Sequence, residues 1–564
     1  MKTVKLQFLL LFVGFVAKSQ APNAPLNDDY YHLIERYQIS RGKLLNDFHT
    51  NVKPYNRRAI MGFVDSVLTD RTFPLNFVDF YNLEYLRQDS WEWSADKTPD
   101  SRKPLLRNFY KKPSDFYYIQ NEYLDLHLSP VMDLSFGSEV NNTVGITTRG
   151  VELRGTIAKK LGFYSFIADN QAVFADYVGA YTNELLAIRP TIQSWNTPGE
   201  TLNKKALTSL RGSDFFSGRG YITFNPIKQI NIQFGHDRNF YGNGLRSMFL
   251  SDFSAPYLFL KMTAQLGKFN YTQLLCNTLN GQLDSNGDKV TEKKYMAVHN
   301  LSINLTDNLN VGVFEAEVFN RDVNSGFDLN YLNPIIFYRY VESYLGSGDN
   351  AMLGIDFKYN FLKHFSWYSQ FMLDEFRTQS YFGEDGNWAK KYGFQTGLKY
   401  INAFGIRNLD LQAEYNVARP YTYSHKSGFT NYVHDNQPLA HPLGANFSET
   451  VFLARYQPFP KFTIYATVMN SQKGVDADGK NYGGNILKPY ITRISENGNV
   501  IGQGASVKTN FIDVRASYMM RHNFFIDARF LVRKQDSPVK ALNTNTTVAS
   551  VGFRLNLAYR NQVF

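Results

Sequence analysis

Cysteine is almost missing from this chain. Cys276 is the only one among 564 residues, so no intramolecular disulfide can form, and its position offers no lipidated N-terminal cysteine. An exported animal domain usually carries disulfides, whereas a bacterial envelope protein does without them. Long apolar runs are missing as well. After residue 19 no stretch of eighteen apolar residues occurs, which excludes a membrane-spanning helix. It does not exclude a membrane barrel, whose strands show only alternate residues to lipid, and the mean hydropathy of −0.34 separates nothing. Catalytic signatures are absent too: no HExxH, no G-x-S-x-G elbow and no Walker loop. We expect no enzyme activity, no cofactor and no metal. Nor does one sign of charge dominate any block. The formal charge of +10 is scattered, and in an exported chain that argues against nucleic acid and for anionic lipid head groups or acidic glycans as partners.

What is present begins with a leader. Lys2 and Lys5 precede the apolar run Leu6 to Val16, and Ala17-Lys18-Ser19 supplies small residues at signal-peptidase spacing. The sequence thus predicts a signal peptide over 1–19, a helical periplasmic segment over 20–114 and an outer-membrane barrel over 115–564, in a Gram-negative cell. In the helical segment Ile60, Phe63, Val64, Val67 and Leu68 follow helical spacing after Pro54, and residues 76–93 read as a second helix. With both chain ends in the periplasm, these helices are expected beneath the barrel, with a plug inside the lumen as the alternative.

Beyond residue 115 the pattern changes to period two. Val551, Phe553, Leu555, Leu557 and Tyr559 alternate with Gly552, Arg554, Asn556, Ala558 and Arg560, and Leu409 to Asn416 repeats the pattern. Strand side chains point to opposite faces, so one face is apolar and the other polar. A soluble sandwich alternates too, but connection lengths discriminate. Very short turns such as 225–228, 306–308 and 521–523 alternate with long polar stretches at 175–218, 236–255, 320–350, 416–446 and 471–507. Short turns at one end and long loops at the other mark an outer-membrane barrel, and 46 Phe and 37 Tyr suit its aromatic girdles. The fold class is therefore an all-β transmembrane barrel of about eighteen antiparallel strands with a small N-terminal helical segment.

Three loops stand out. The stretch HDRNFYGNGLRSMFLSDFSAPYLFLK, 236–261, holds Gly242-x-Gly244 but lacks the third glycine and βαβ context of a dinucleotide site. It reads either as a loop needing glycine for tight turns or as a sugar-binding face built from Asp237, Arg238, Asn239, Tyr241, Arg246 and Asp252. The second, 331–350, has Asn333 as a helix cap and Pro334 at the first helical position, with a short helix to about Leu345. Its aromatics predict inward folding, with Asn333, Pro334, Tyr338 and Arg339 narrowing the lumen. The third, 419–449, carries His425, His434 and His441 at irregular spacing, which reads as loop histidines rather than a metal site.

These loops also carry a resemblance. Tyr241-Gly242-Asn243-Gly244, Leu250-Ser251 and Ala255-Pro256 stand where the Wzi family of capsule-assembly proteins has an aromatic-Gly-Pro-Gly loop, a Leu-Ser and an Ala-x-Pro-like element. Asn333-Pro334, Asp349-Asn350, Tyr423-Ser424-His425 and Pro442-Leu443-Gly444 are similar to its later motifs. Asn243 departs from the family's proline. The helical leader around FHTNVKPYNRRA further resembles the gliding-motility branch typified by RemB. The resemblance implies an eighteen-stranded outer-membrane barrel that binds or organises surface polysaccharide, with gliding or secretion machinery as candidate protein partners and outer-membrane lipid around it. A diffusion channel and a barrel lipid hydrolase are the rival classes.

Overall fold

The computed structural model describes residues 20–95, 99–101, 105, 107–140, 142–179, 181, 212–283, 289–320, 327–335, 337–345, 348–374 and 386–564. The predicted leader over 1–19 and most of the predicted loop over 175–218 lie outside the described residues.

The period-two pattern closes into a cylinder. Eighteen long strands, from Leu124–Glu139 to Thr544–Leu555, form one closed antiparallel barrel. The first and last strands pair from Glu139↔Val548 to Met132↔Leu555, which removes the free sheet edge. Leu309–Phe319 has the predicted ends, and most other strands differ from prediction by a few residues. Gly212–Ile227, Phe269–Leu283 and Lys289–Asn304 run well past it toward the long-loop end. Beyond the apolar layer both faces meet polar surroundings, so alternation fades while the hydrogen-bonded ladder continues.

The barrel wall is apolar outside and polar inside. Leu260, Val313, Ile355, Trp367, Phe452 and Phe530 point outward and are exposed, whereas Lys261, Asp356, Lys358, Gln370, Gln395 and Glu414 are buried. Buried polar groups need partners, and these find them in chain that fills the lumen. Short turns such as 228–229, 267–268, 362–364 and 460–461 sit at one end, the periplasmic end in barrels of this kind. The long connections 238–256, 320–349, 419–446 and 476–504 sit at the other.

The N-terminal segment folds as three helices: α1 (Asp28–Arg41), α2 (Arg57–Thr69) and α3 (Phe77–Asp89). Each starts at an asparagine, Asn27, Asn56 and Asn76, whose side chain accepts backbone N–H bonds of the first turn. Ile34, Tyr37, Ile60, Val64, Leu83 and Leu86 give the helices a small apolar core of their own. The segment does more than lie beneath the barrel. Tyr85 reaches the short turn at Asn523 Oδ1 (2.6 Å), but Gln38 and Thr50 accept bonds from Lys358 Nζ inside the lumen (2.5 and 2.9 Å). Glu35 of α1 pairs with Lys399, and Arg36 pairs with Asp410. The segment is thus seated in the short-turn mouth with one side inside. Helices α2 and α3 form where the spacing predicts them. Helix α1 does not show in the pattern, because its buried face includes Glu35, Arg36 and Gln38 turned toward a polar lumen wall.

Candidate functional site

Loop 238–256 leaves the strand Ile230–Asp237 and crosses the lumen to the far wall. Its backbone is held there by side chains that point inward. Glu414 accepts from Leu245 N and Arg246 N (2.8 and 3.1 Å), Gln370 Oε1 accepts from Met248 N (2.8 Å), and Gln395 Nε2 donates to Arg246 O (2.9 Å). This close approach explains the glycines. A Cβ on Gly244 would stand 2.4 Å from Glu414 Oε2, and one on Gly242 would stand 2.9 Å from Gln370 Nε2. The glycines let the backbone lie against the wall; they cradle no phosphate.

The N-terminal segment meets this loop inside the barrel. Val52–Lys53 pairs antiparallel with Phe240–Tyr241, and Thr50 Oγ1 donates to Asn243 Oδ1 at 2.9 Å. Loop 419–446 packs against the other side of loop 238–256: Ser251 N donates to Leu439 O (2.8 Å), and Tyr423, Tyr432 and Leu439 join Phe249, Phe314 and Met248 in an apolar core within the lumen. Chain therefore runs through the lumen from one mouth to the other.

The three histidines of loop 419–446 have separate partners. His425 bonds Thr430 Oγ1, His434 lies between Leu279 N and Pro256 O, and His441 bonds Glu449 (2.9 Å). Burial pushes the pKa of His434 down to about 4 and lowers that of His441, so both are neutral props near pH 7.

A cavity of about 290 Å³ remains between loop 238–256, α1 and the wall strands Phe447–Phe459, Phe462–Val475 and Ala505–Arg521. That is just below the ~300–1,000 Å³ typical of ligand pockets. Arginines, carboxylates and aromatic rings share its lining. Arg515 pairs with Asp29 at 2.7 Å, and its guanidinium stacks between the rings of Tyr465 and Tyr559, 4.0 and 3.8 Å from their centroids. Arg246 bonds Glu449 in a two-point contact (3.0 and 3.3 Å). Arg238 and Arg455 also line the cavity. Among the described residues neither has a carboxylate at ion-pairing distance; they bond Asp252 O and Gln412 Oε1 instead. Asp28 opens onto the same space, and its depth in the barrel and the nearby Asp252 carboxylate raise its pKa.

Of the six residues expected on a sugar-binding face, the structure brings Arg238, Arg246 and Asp252 to this cavity. The other three lie elsewhere. Asn239 is buried and accepts from Lys261 Nζ (2.9 Å), Tyr241 is buried in the lumenal core, and Asp237 accepts from Arg238 N at the strand end. Sequence reasoning missed Arg455, Arg515, Tyr465 and Tyr559. The first three sit at lumen-facing strand parity, so the inward row Arg455, Tyr465 and Arg515 across three neighbouring strands was a readable signal. Tyr559 was not readable: the predicted last strand ran to it, but the strand ends at Leu555, Asn556 takes φ 51°, and the tail folds into the lumen. There Arg246 Nη2 donates to Val563 O at 2.6 Å.

The predicted constriction at Asn333, Pro334, Tyr338 and Arg339 is not in the lumen. The chain makes the short helix α4 (Tyr338–Leu345), starting later than Asn333 and Pro334 predict, and Tyr338 N and Arg339 N donate to Glu315. Glu315 shares its face with outward-pointing Val313 and pairs with Leu353, so the segment lies on the outer wall. Of its aromatics, Tyr331 and Tyr338 are buried, against Ala297 and Phe319 on the outside of the sheet.

No family model matches the chain, and no curated protein matches it. Among solved structures it is similar to Wzi of Escherichia coli, an outer-membrane protein involved in group 1 capsule assembly and described as a carbohydrate-binding β-barrel. The TM-score is 0.55 at 10% identity, covering 96% of this chain and 100% of that one. OprD of Pseudomonas aeruginosa gives a TM-score of 0.42 at 10% identity over 77% of this chain and 96% of that one. OccAB2 of Acinetobacter baumannii gives 0.42 at 10% identity over 77% and 99%. At such identity the likeness to Wzi establishes the fold: a β-barrel of the kind found in Gram-negative outer membranes.

Proposed function

We propose that the protein is a non-enzymatic outer-membrane barrel that binds and retains surface polysaccharide. The observation that carries the reading is the lumen filled from both mouths, with Val52–Lys53 bridged to Phe240–Tyr241 across its middle. A barrel obstructed in this way acts through binding surfaces rather than by passing solutes. The cavity beneath loop 238–256 supplies sugar-binding chemistry: planar rings of Tyr465 and Tyr559, the carboxylates of Asp28 and Asp252, and the guanidinium groups of Arg238 and Arg455. Arginine without a carboxylate partner favours a glycan with acidic substituents. The carbohydrate binding described for Wzi supports the same reading.

The test compares a strain lacking the gene with its parent, scoring cell-bound and shed polysaccharide and colony spreading on the same plates. Polysaccharide shed into the medium is the expected result. Polysaccharide that stays bound while spreading fails would replace retention with a role in gliding. Purified protein in planar bilayers should conduct little; porin-like conductance would favour a diffusion channel, and fatty-acid release from phospholipid would favour a hydrolase.

A further inference from the structure

The outer wall carries a polar notch. On Phe269–Leu283, Lys289–Asn304 and Leu309–Phe319, the outward residues Gln273, His299 and Glu315 lie side by side, since Gln273 pairs with His299 and His299 with Glu315. The strands on either side stay apolar at these levels, with Leu258, Leu260 and Met262 on one flank and Leu353, Ile355 and Phe357 on the other. Polar groups in a lipid-facing belt are costly.

Residues 327–335 and 337–345 cover the notch. Glu315 accepts from the first two amides of α4 (2.8 and 2.9 Å), Gln273 Nε2 donates to Leu332 O and Tyr338 Oη (3.2 and 3.0 Å), and His299 stacks on Tyr338 with ring centroids 3.8 Å apart. Tyr271 Oη, just below, donates to Pro334 O at 2.6 Å. The covering segment turns its other side outward. Ile335, Phe337 and Tyr344 are 87%, 68% and 78% exposed, with Leu329 and Tyr340 beside them. Arg339 is exposed on the same helix, and its long stem suits a head-group position.

We infer that this segment is a membrane element: a loop folded back over the outside of the barrel, whose exposed face touches the acyl chains of the outer leaflet. Two observations fix lipid as the partner. The exposed residues continue the apolar belt of the flanking strands across the notch, and they sit over outward-facing residues of the wall rather than above the rim. The inference stands apart from the glycan reading, because it concerns the opposite face of the wall.

The experiment places tryptophan at exposed positions, Phe337→Trp and Ile335→Trp, in the full-length protein reconstituted in vesicles. Quenching of the added emission is read against the parent protein, with phosphatidylcholine brominated on its acyl chains and with aqueous acrylamide. The expected result is quenching by brominated lipid comparable to that of Trp367, which points outward from the wall, and little quenching by acrylamide. Strong acrylamide quenching without lipid quenching would overturn the inference by putting the segment in water. Protection from both quenchers would overturn it by putting protein over the segment. Two sites guard against one variant misfolding, and unchanged heat-modifiable gel mobility reports that the barrel is intact.

Discussion

Loops 238–256 and 327–345 leave the same end of the barrel, and both are rich in Phe and Tyr, yet one enters the lumen and the other lies on the outer wall. Aromatic content says that a loop will bury itself, not on which side. The wall decides the side. The inner face offers Gln370, Gln395 and Glu414 to a backbone that glycine keeps narrow, and the outer face offers Gln273, His299 and Glu315 to a helix start. In each case polar strand side chains mark the landing place, of expected polarity on the inner face and of unexpected polarity on the outer one.

The contrast can be broken from either side. Glu449→Ala should have the largest effect, leaving the Arg246 guanidinium buried without its carboxylate. Removing one partner of a buried pair costs about 3–5 kcal/mol, so tryptic cleavage within loop 238–256 should appear under conditions where the parent resists. Loop 327–345 should keep its protection. Glu315→Ala inverts the test. Freeing two helix amides costs about 1–3 kcal/mol, and chymotrypsin should cut near Phe337 while loop 238–256 stays resistant.

Acidification should act on the inner arrangement through the N-terminal segment. Burial pushes the pKa values of His32 and His49 down to about 4. His32 faces Asp410, Arg36 and Arg455, and His49 faces Ser302 and Asn310. A released imidazole titrates near ~6.5, so between about pH 6.5 and 4 the free segment binds more protons than the seated one. Through these imidazoles seating weakens as pH falls through that window, while Asp28 of α1, whose pKa is raised by burial and by Asp252, acts in the opposite sense. The carboxylate of Glu35, whose burial is outweighed by Lys399 and Lys53, stays ionised across the same range. Protease sensitivity of residues 20–95 against pH, in vesicles, reads the effect. The smallest structural effect is expected of Arg455→Gln, whose guanidinium has no carboxylate at ion-pairing distance among the described residues. It should nonetheless lower the cell-bound fraction of polysaccharide; unchanged retention would remove the cavity from the proposed function.

The barrel was legible because lipid on one side and a polar lumen on the other impose strict alternation, as in Leu309–Phe319. What escaped reading lies where that contrast ends. Helix α1 carries Glu35 and Gln38 on a buried face, so hydrophobic spacing could not reveal it. The tail from Asn556 keeps apparent alternation through Leu557 and Tyr559 after the ladder has ended, and only the left-handed turn at Asn556 shows the break. Arg238, Arg246 and Asp252 were singled out by residue type, but Arg455, Tyr465 and Arg515 at the same cavity come from strands over 200 residues away, a proximity that sequence spacing does not show.

The two-residue bridge between Val52–Lys53 and Phe240–Tyr241 has a mechanical consequence. Here tension on loop 238–256 passes through the bridge to α1, and from there to Asp410 and Lys399 near the opposite mouth. An outward tug is thus shared along the height of the wall rather than concentrated at the rim, as a rivet spreads load through the plate that it pierces.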